Sequence, residues 1–428
     1  MTKQNNIIRD TIILGFAIFS MYFGAGNIIF PPYLGLTSAS DWQISFFSYF
    51  LSDIIFATIA MFALLKVGGN VDNLTQKLGK TPGIILMSVI VLCIGPLIAL
   101  PRTGATTYEM LVVPMLGASF TNSLITSIFY YGLIMFFTFR PTAMIEILGK
   151  VLTPILFLGL IILIIKGIIT PIGEITLNTT NNNLFFDGLL MGYQTLDVLA
   201  ALAFGIIIIK IVKSKGYEDK KTTFKIVGFA SILAAFGIMI IYYGLSYLGA
   251  TATTLYPENI EKAVLLNKLI NHLFGDYGNI LLGIVVFLAC FTTGSALTSV
   301  TSEYFSKLSN RKISYRNLVI IVTIFSIIIT NIGLEFIISF AGPILGIVYP
   351  GAIVLVVLVF FDKYIKNDNV YKFAAFAAMI YSFLELISSS FINIEFLQIV
   401  PFSHAGLAWI TPAVVFGIIG YFIKFKEA

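Results

Sequence analysis

Three short stretches of an otherwise apolar chain carry residue types that can do chemistry. Residues 23–35, FGAGNIIFPPYLG, place two glycines, an asparagine and a double proline inside a run hydrophobic enough to be a membrane helix. Residues 192–197, GYQTLD, gather a phenol, an amide, a hydroxyl and a carboxylate, and an apolar run follows them. Residues 289–305, ACFTTGSALTSVTSEYF, hold seven Ser or Thr between 292 and 302. In hydrocarbon each unpaired backbone group costs several kcal/mol, so a helix breaks only where the freed groups face protein, water or a ligand. Gly24 and Gly26 let the backbone leave helical geometry, Asn27 offers an amide, and Pro31 and Pro32 can start a half-helix or end the region. The amino end of a half-helix presents free N–H groups to a carboxylate, and exposed carbonyls at a carboxyl end suit a small cation. Thr292 and Thr293 could add oxygen ligands to carbonyls of Ala289 and of the first segment, a donor set for a hard cation. The chemistry suggested is an amino acid and an ion held together. The competing reading is a proline kink, glycines used for close packing, and hydroxyls bonded back to their own helix.

The elements that must position these residues follow from composition. The chain has 428 residues, 58% of them hydrophobic and 11% charged, with mean hydropathy +0.96. Soluble domains carry about 25% charged residues, so the expected class is an all-α polytopic membrane protein in a lipid bilayer. Counting apolar segments of about 20 residues gives twelve between residues 11 and 423, with the third, near 81–110, interrupted by Pro96 and Pro101. With the amino terminus in the cytoplasm, alternate loops hold 22 of the 26 Lys and Arg residues. That asymmetry supports twelve spans with both termini cytoplasmic. The net charge of +5 then reflects loops facing anionic lipid, with no nucleic-acid partner needed.

The interrupted segments 1 and 6 are five spans apart, which suggests two five-helix halves, 11–170 and 186–361, related by an inverted repeat, with 371–423 appended. Matching fragments support the pairing: RTGA at 102–105 with TTGS at 292–295, and TPIL at 153–156 with GPIL at 342–345. Asp197 would cost about 2.5–3.5 kcal/mol facing lipid, so it should face the interior with a partner. Asp53, Arg102, Glu109 and Glu385 are further buried ionisable candidates, and Arg102 with Glu109, seven residues apart, could pair as a gate. Cys93, Cys290, His272 and His404 show no metal-ligand or catalytic spacing, and an enzyme is not expected. The loop 250–276 reads as a connector.

FGAGNIIFPPYLG, GPLIALPRTGATTYE at 95–109 and GYQTLDVLAALAFG at 192–205 resemble signature segments of the branched-chain amino acid:cation symporters, within the amino acid, polyamine and organocation superfamily. The resemblance extends over the whole chain in length and helix count. It implies a LeuT-like fold with discontinuous helices 1 and 6, and sodium-coupled import of leucine, isoleucine and valine across a bacterial cytoplasmic membrane, without a cofactor. It also implies substrate contacts at Phe23, Gly24, Ala25, Gly26 and Asn27 and at Gly192, Tyr193, Gln194 and Thr195. The implied sodium ligands are Ser20 and Phe23 with Ala289, Thr292 and Thr293. A proton-coupled permease would instead use a titratable carboxylate, Asp197 foremost; a channel or an intramembrane enzyme is disfavoured.

Overall fold

The computed structural model describes residues 3–139, 153–178, 183–365, 367–390, 394–403 and 406–423, which leaves His404 outside the described residues. Among the described residues all regular structure is helical. Among the described residues eight helical runs are long and apolar enough to cross a membrane by length and composition, and three shorter apolar helices accompany them. The principal helices are α1 (Lys3–Tyr22), α2 (Ala25–Ser38), α3 (Trp42–Phe50), α4 (Phe56–Lys66), α5 (Lys80–Leu92), α6 (Ala99–Thr107), α7 (Phe120–Thr138), α8 (Thr153–Ile169) and α9 (Leu184–Tyr193). They continue with α10 (Asp197–Ser214), α11 (Lys220–Ala250), α12 (Lys262–Phe274), α13 (Asp276–Leu308), α14 (Tyr315–Thr330), α15 (Leu334–Phe360), α16 (Asn369–Ser390) and α17 (Ile410–Phe422).

The outer faces of α7 and α8 are apolar and exposed: Phe129 is 62% and Phe136 67% accessible, and Leu158 and Ile162 are similarly open. Lipid is the solvent that such faces require. Inside, the polar residues of the three chemical stretches are turned inward, and Ser20, Asn27, Thr195, Asp197 and Thr292 are all buried.

The first break falls at Phe23 and Gly24, between α1 and α2. Gly24 is extended (φ −115, ψ −155), and α2 begins at once at Ala25. The double proline therefore neither starts nor ends the half-helix; Pro31 and Pro32 lie well within α2. Each lacks an N–H, so the carbonyls of Asn27 and Ile28 lose their usual helical donors. The second break lies two residues later than the glycine–tyrosine pair suggests. Gly192 and Tyr193 are still in α9, and the chain turns at Gln194–Leu196, where Leu196 takes a left-handed conformation (φ 69). The third helix is interrupted at Gly95 (φ −88, ψ −126) and Ile98. Pro101 sits in the first turn of α6, where no helical N–H bond is lost.

Glycines explain why half-helices this short hold their places. A Cβ on Gly35 of α2 would strike the Ser246 carbonyl, and one on Gly249 of α11 would strike the Pro32 carbonyl. Gly188 and Gly192 of α9 likewise rest on Ser45, Ser48, Tyr49 and Ser52. Backbone thus lies against backbone, the close approach that small residues permit in membranes. The loop 250–276 is more than a connector. It contains α12, which begins at a Lys262–Glu335 ion pair of 3.6 Å and buries Leu265, Leu266 and Leu269. Gly35→Leu or Gly249→Leu is expected to separate α2 from α11, costing about 1–3 kcal/mol or more. Thermal melting followed by size exclusion should show a lowered midpoint, whereas Gly132→Leu, at a site with open space around it, should melt like the parent.

Candidate functional site

The two breaks face each other at the centre of the molecule. Because the chain turns at Gly24, its N–H donates to the side chain of Asn27 (3.1 Å) and leaves the Ser20 carbonyl that a continuous helix would have used. Two hydroxyls of α13 take that carbonyl: Thr292 Oγ1 at 3.2 Å and Thr293 Oγ1 at 3.0 Å. Thr292 Oγ1 also lies 2.8 Å from the Ala289 carbonyl, and Thr293 Oγ1 3.3 Å from the Phe23 carbonyl. Five oxygens, from Ser20, Phe23, Ala289, Thr292 and Thr293, therefore converge between α1 and α13. One hydroxyl hydrogen cannot serve two carbonyls at once, so this cluster has more acceptors than donors. It is a hard, uncharged oxygen set suited to a small cation. Among the described residues no group of three or more His, Cys, Asp or Glu could hold a metal.

Beside it runs a chain of polar contacts that ties the two breaks together. Asn27 Nδ2 donates to Asp197 Oδ2 at 2.7 Å and to the hydroxyl of Tyr242. Tyr242 donates to Asp53 Oδ2 at 2.7 Å, and Thr195 Oγ1 donates to Asp53 Oδ1 at 2.7 Å. The carboxyl groups of Asp53 and Asp197 meet in the same network. Asp53 reaches it from a π-helical turn, Leu51–Ile55, between α3 and α4. Such a turn inserts a residue and re-aims side chains, and often marks a functional position. Asp197 opens α10, where a carboxylate complements the helix dipole.

Arg102 completes the centre. It is 3% exposed, and it donates to the carbonyls of Gln194 (2.5 Å) and Thr195 (3.2 Å) in the second break. Its partner is thus backbone, and the pairing with Glu109 does not form. The two residues are two helical turns apart, about 10 Å of rise, and the carbonyls of the break already hold the guanidinium. Glu109 lies instead beside α12, where its carbonyl accepts from Asn267 at 3.1 Å.

The cavity among these groups offers room of about 20 Å³, enough for about one water. Met21, Tyr22, Ile94, Ala200 and Leu297 contribute walls, and Gly24, Ala25, Asn27, Arg102, Thr195 and Asp197 line its polar side. Gly192 and Tyr193 stand back from it: Gly192 packs on Ser52, and Tyr193 stacks on Tyr349 at 4.7 Å. Tyr242 is the residue that sequence reasoning missed. It sits among the apolar residues of α11, and no local pattern distinguishes it from neighbouring Tyr243, whose side chain is 45% exposed.

An all-helical core with two facing helix breaks and a buried polar network defines a multi-pass membrane transporter. Residues 7–427 match the family described as branched-chain amino acid transport protein, and the chain belongs to that family. It is 36% identical over 429 residues to the branched-chain amino acid permease BraB of Bacillus subtilis (strain 168), covering 98% of this chain and 96% of that one. With the permease BrnQ of Escherichia coli (strain K12) it shares 33% identity over 413 residues, 95% and 94% of the two chains. Relatives of this kind are transport permeases and not enzymes. The fold is shared with solved transporters. A sodium-coupled sialic acid symporter aligns at TM-score 0.60 and 13% identity, covering 96% of this chain and 89% of that one. MhsT in complex with L-phenylalanine aligns at TM-score 0.60 and 16% identity, covering 96% and 98%.

The polar network carries a stability prediction. Asp53→Ala leaves Thr195 only its bond to the Gly192 carbonyl (2.6 Å), strands the hydroxyl hydrogen of Tyr242 at a cost of about 1–3 kcal/mol, and leaves a cavity where the carboxyl stood. Tyr242→Phe removes a single donor and should cost less. Melting in detergent, with expression matched, should rank parent above Tyr242→Phe above Asp53→Ala; an unshifted Asp53→Ala would contradict the network as a tie between the breaks.

Proposed function

We propose that this protein imports branched-chain amino acids by alternating access, coupled to sodium, across a bacterial cytoplasmic membrane with both termini inside. In this reading the chain crosses twelve times, and two inverted five-helix halves are followed by the pair α16 and α17. The observation that carries the coupling is the convergence of the Ser20, Phe23 and Ala289 carbonyls with the Thr292 and Thr293 hydroxyls. No carboxylate belongs to that set, so a monovalent cation is favoured over a divalent one, whose burial without a compensating anion costs far more. When the ion enters, the hydroxyl hydrogens turn outward and all five oxygens face it.

The substrate lies next to the ion. Its carboxylate meets the amino end of α2 at Gly24–Asn27, where N–H groups and the helix dipole favour an anion. Its ammonium meets the carbonyls of Gln194 and Thr195, and Asp197 supplies the countercharge. Met21, Ile94, Ala200 and Leu297 form an apolar wall for a branched aliphatic side chain, against which each methylene contributes about 1–3 kcal/mol. The present cavity is too small for an amino acid, so binding requires the breaks to part. A larger cavity, about 440 Å³, lies one helical turn further along α10 and α13, from Ala203 and Val300 to Asp72, Glu303 and Lys307. Its mouth, where Asp72, Glu303 and Lys307 carry charges of both signs, fits a cytoplasmic vestibule. At about 100 mV one inward charge contributes roughly 2.3 kcal/mol to accumulation.

A second reading is favoured by one specific observation. The Asp53 and Asp197 carboxyls meet in the centre, and a carboxyl pair is a place where a coupling proton could ride.

The test is uptake of labelled leucine into proteoliposomes under an imposed sodium gradient or an imposed proton gradient. A sodium gradient should drive accumulation, and Thr292→Ala with Thr293→Ala together should lower it at least tenfold. Proton-driven uptake insensitive to that double change would move coupling to the Asp53–Asp197 pair. No leucine uptake under either gradient would overturn the substrate assignment.

A further inference from the structure

With the site collapsed to the volume of a water, its cation-binding carbonyls are not vacant. The guanidinium of Arg102 lies on both: Nη1 on Gln194 and Nη2 on Thr195. The same group presses against the start of α2, since a Cβ on Gly26 would lie 2.9 Å from Nη2, and it stands 5.6 Å from the centre of the Phe30 ring. Its Nε is buried without a partner, and the Tyr22 hydroxyl, which belongs to the wall of the same cavity, is also buried and unpaired. A cation beside the positive end of a helix is poorly placed. Two carbonyls and the nearby Asp197 hold it there, and donors remain unused.

We infer that Arg102 is a built-in surrogate for the ammonium group of the substrate, and that the substrate displaces it by an exchange of charges. The inference rests on the reading of this centre as an amino-acid site. The incoming ammonium takes the carbonyls of Gln194 and Thr195. The released guanidinium needs only a short movement to meet the substrate's carboxylate, because it already touches Gly26 at the amino end of α2. Arg102 then supplies a planar pair of donors to that carboxylate, and its unused Nε–H gains a potential acceptor.

This exchange makes the site selective for zwitterions. A carboxylate without an ammonium cannot pull Arg102 from its carbonyls. An amine without a carboxylate can, but it leaves a buried guanidinium unpaired, which opposes binding strongly. Asp53, Asp197, Tyr22, Tyr49, Tyr242, Tyr349 and Cys290 are the other ionisable groups around the centre. None of them presents a second fixed cation to a carboxylate.

The experiment measures binding of leucine, leucinamide and 4-methylpentanoate to the purified full chain in saturating sodium, for the parent, Arg102→Gln and Arg102→Lys. The parent should bind leucine and reject both analogues by at least tenfold. Arg102→Gln should weaken leucine on the order of 100-fold and shift the leucine-to-leucinamide preference toward leucinamide by at least tenfold. Arg102→Lys, a point charge without the planar fork, should fall between them. Size exclusion checks that each variant is folded, and the parent's own discrimination keeps the idea testable if a variant is not. Leucinamide binding to the parent within tenfold of leucine would overturn the exchange, as would unchanged leucine affinity in a folded Arg102→Gln. Failure of the parent to bind leucine at all would instead remove the substrate reading on which the inference stands.

Discussion

A backbone interrupted inside hydrocarbon must find a partner for every group it frees, and the centre of this protein is organised by that demand. Turning the chain at Gly24 sends its N–H to Asn27 and leaves the Ser20 carbonyl to the hydroxyls of α13. Turning it again at Leu196 leaves the Gln194 and Thr195 carbonyls to Arg102. Each break is therefore stabilised by a side chain from a helix distant in sequence, and each stabilising group occupies a position that a ligand could take. Structural satisfaction and ligand binding compete for the same atoms, which is the arrangement a carrier needs if its closed state is to be both stable and displaceable.

The two breaks are also joined to each other. Asn27 of the first reaches Asp197 at the end of the second, and Asp53, aimed by the π-helical turn, holds Thr195 and Tyr242. A change at one break is felt at the other through these three contacts and the one between Asn27 and the Tyr242 hydroxyl. Around them, the glycine contacts of α2 with α11 and of α9 with α3 make the half-helices parts of larger bodies. Movement of a half-helix is thus expected to carry its neighbour along, and this gives the local exchange of partners a longer lever.

Much of this was legible in the sequence because membrane burial makes polar residues conspicuous. Gly24, Asn27, Thr195, Asp197 and the hydroxyls of α13 stand out against apolar surroundings, and the residues proposed for the ion do lie together in space. What was not legible depended on direction rather than residue type. Pro31 and Pro32 looked like a boundary, yet the half-helix begins at Ala25 and runs through both. Arg102 and Glu109 looked like a pair by spacing, while the carbonyls released at Leu196 offered Arg102 a nearer partner. Tyr242 is an ordinary tyrosine in its own helix and acquires meaning only from where α11 crosses α2. The break at Gln194–Leu196 takes in Gln194 and Thr195 of the Gly192–Thr195 stretch but leaves Gly192 and Tyr193 in α9, where Gly192 packs on Ser52.

In the proposed function, ion and substrate stabilise one another across a shared first break. Linkage makes this measurable without transport: if sodium raises leucine affinity by some factor, leucine must raise sodium affinity by the same factor. The most direct measurement is leucine binding by calorimetry to the purified protein across a range of sodium concentrations at fixed ionic strength, with sodium binding measured in turn with and without leucine. Leucine affinity should rise with sodium, by equal factors in the two directions. Leucine affinity indifferent to sodium, with a dependence on pH in its place, would contradict this linkage.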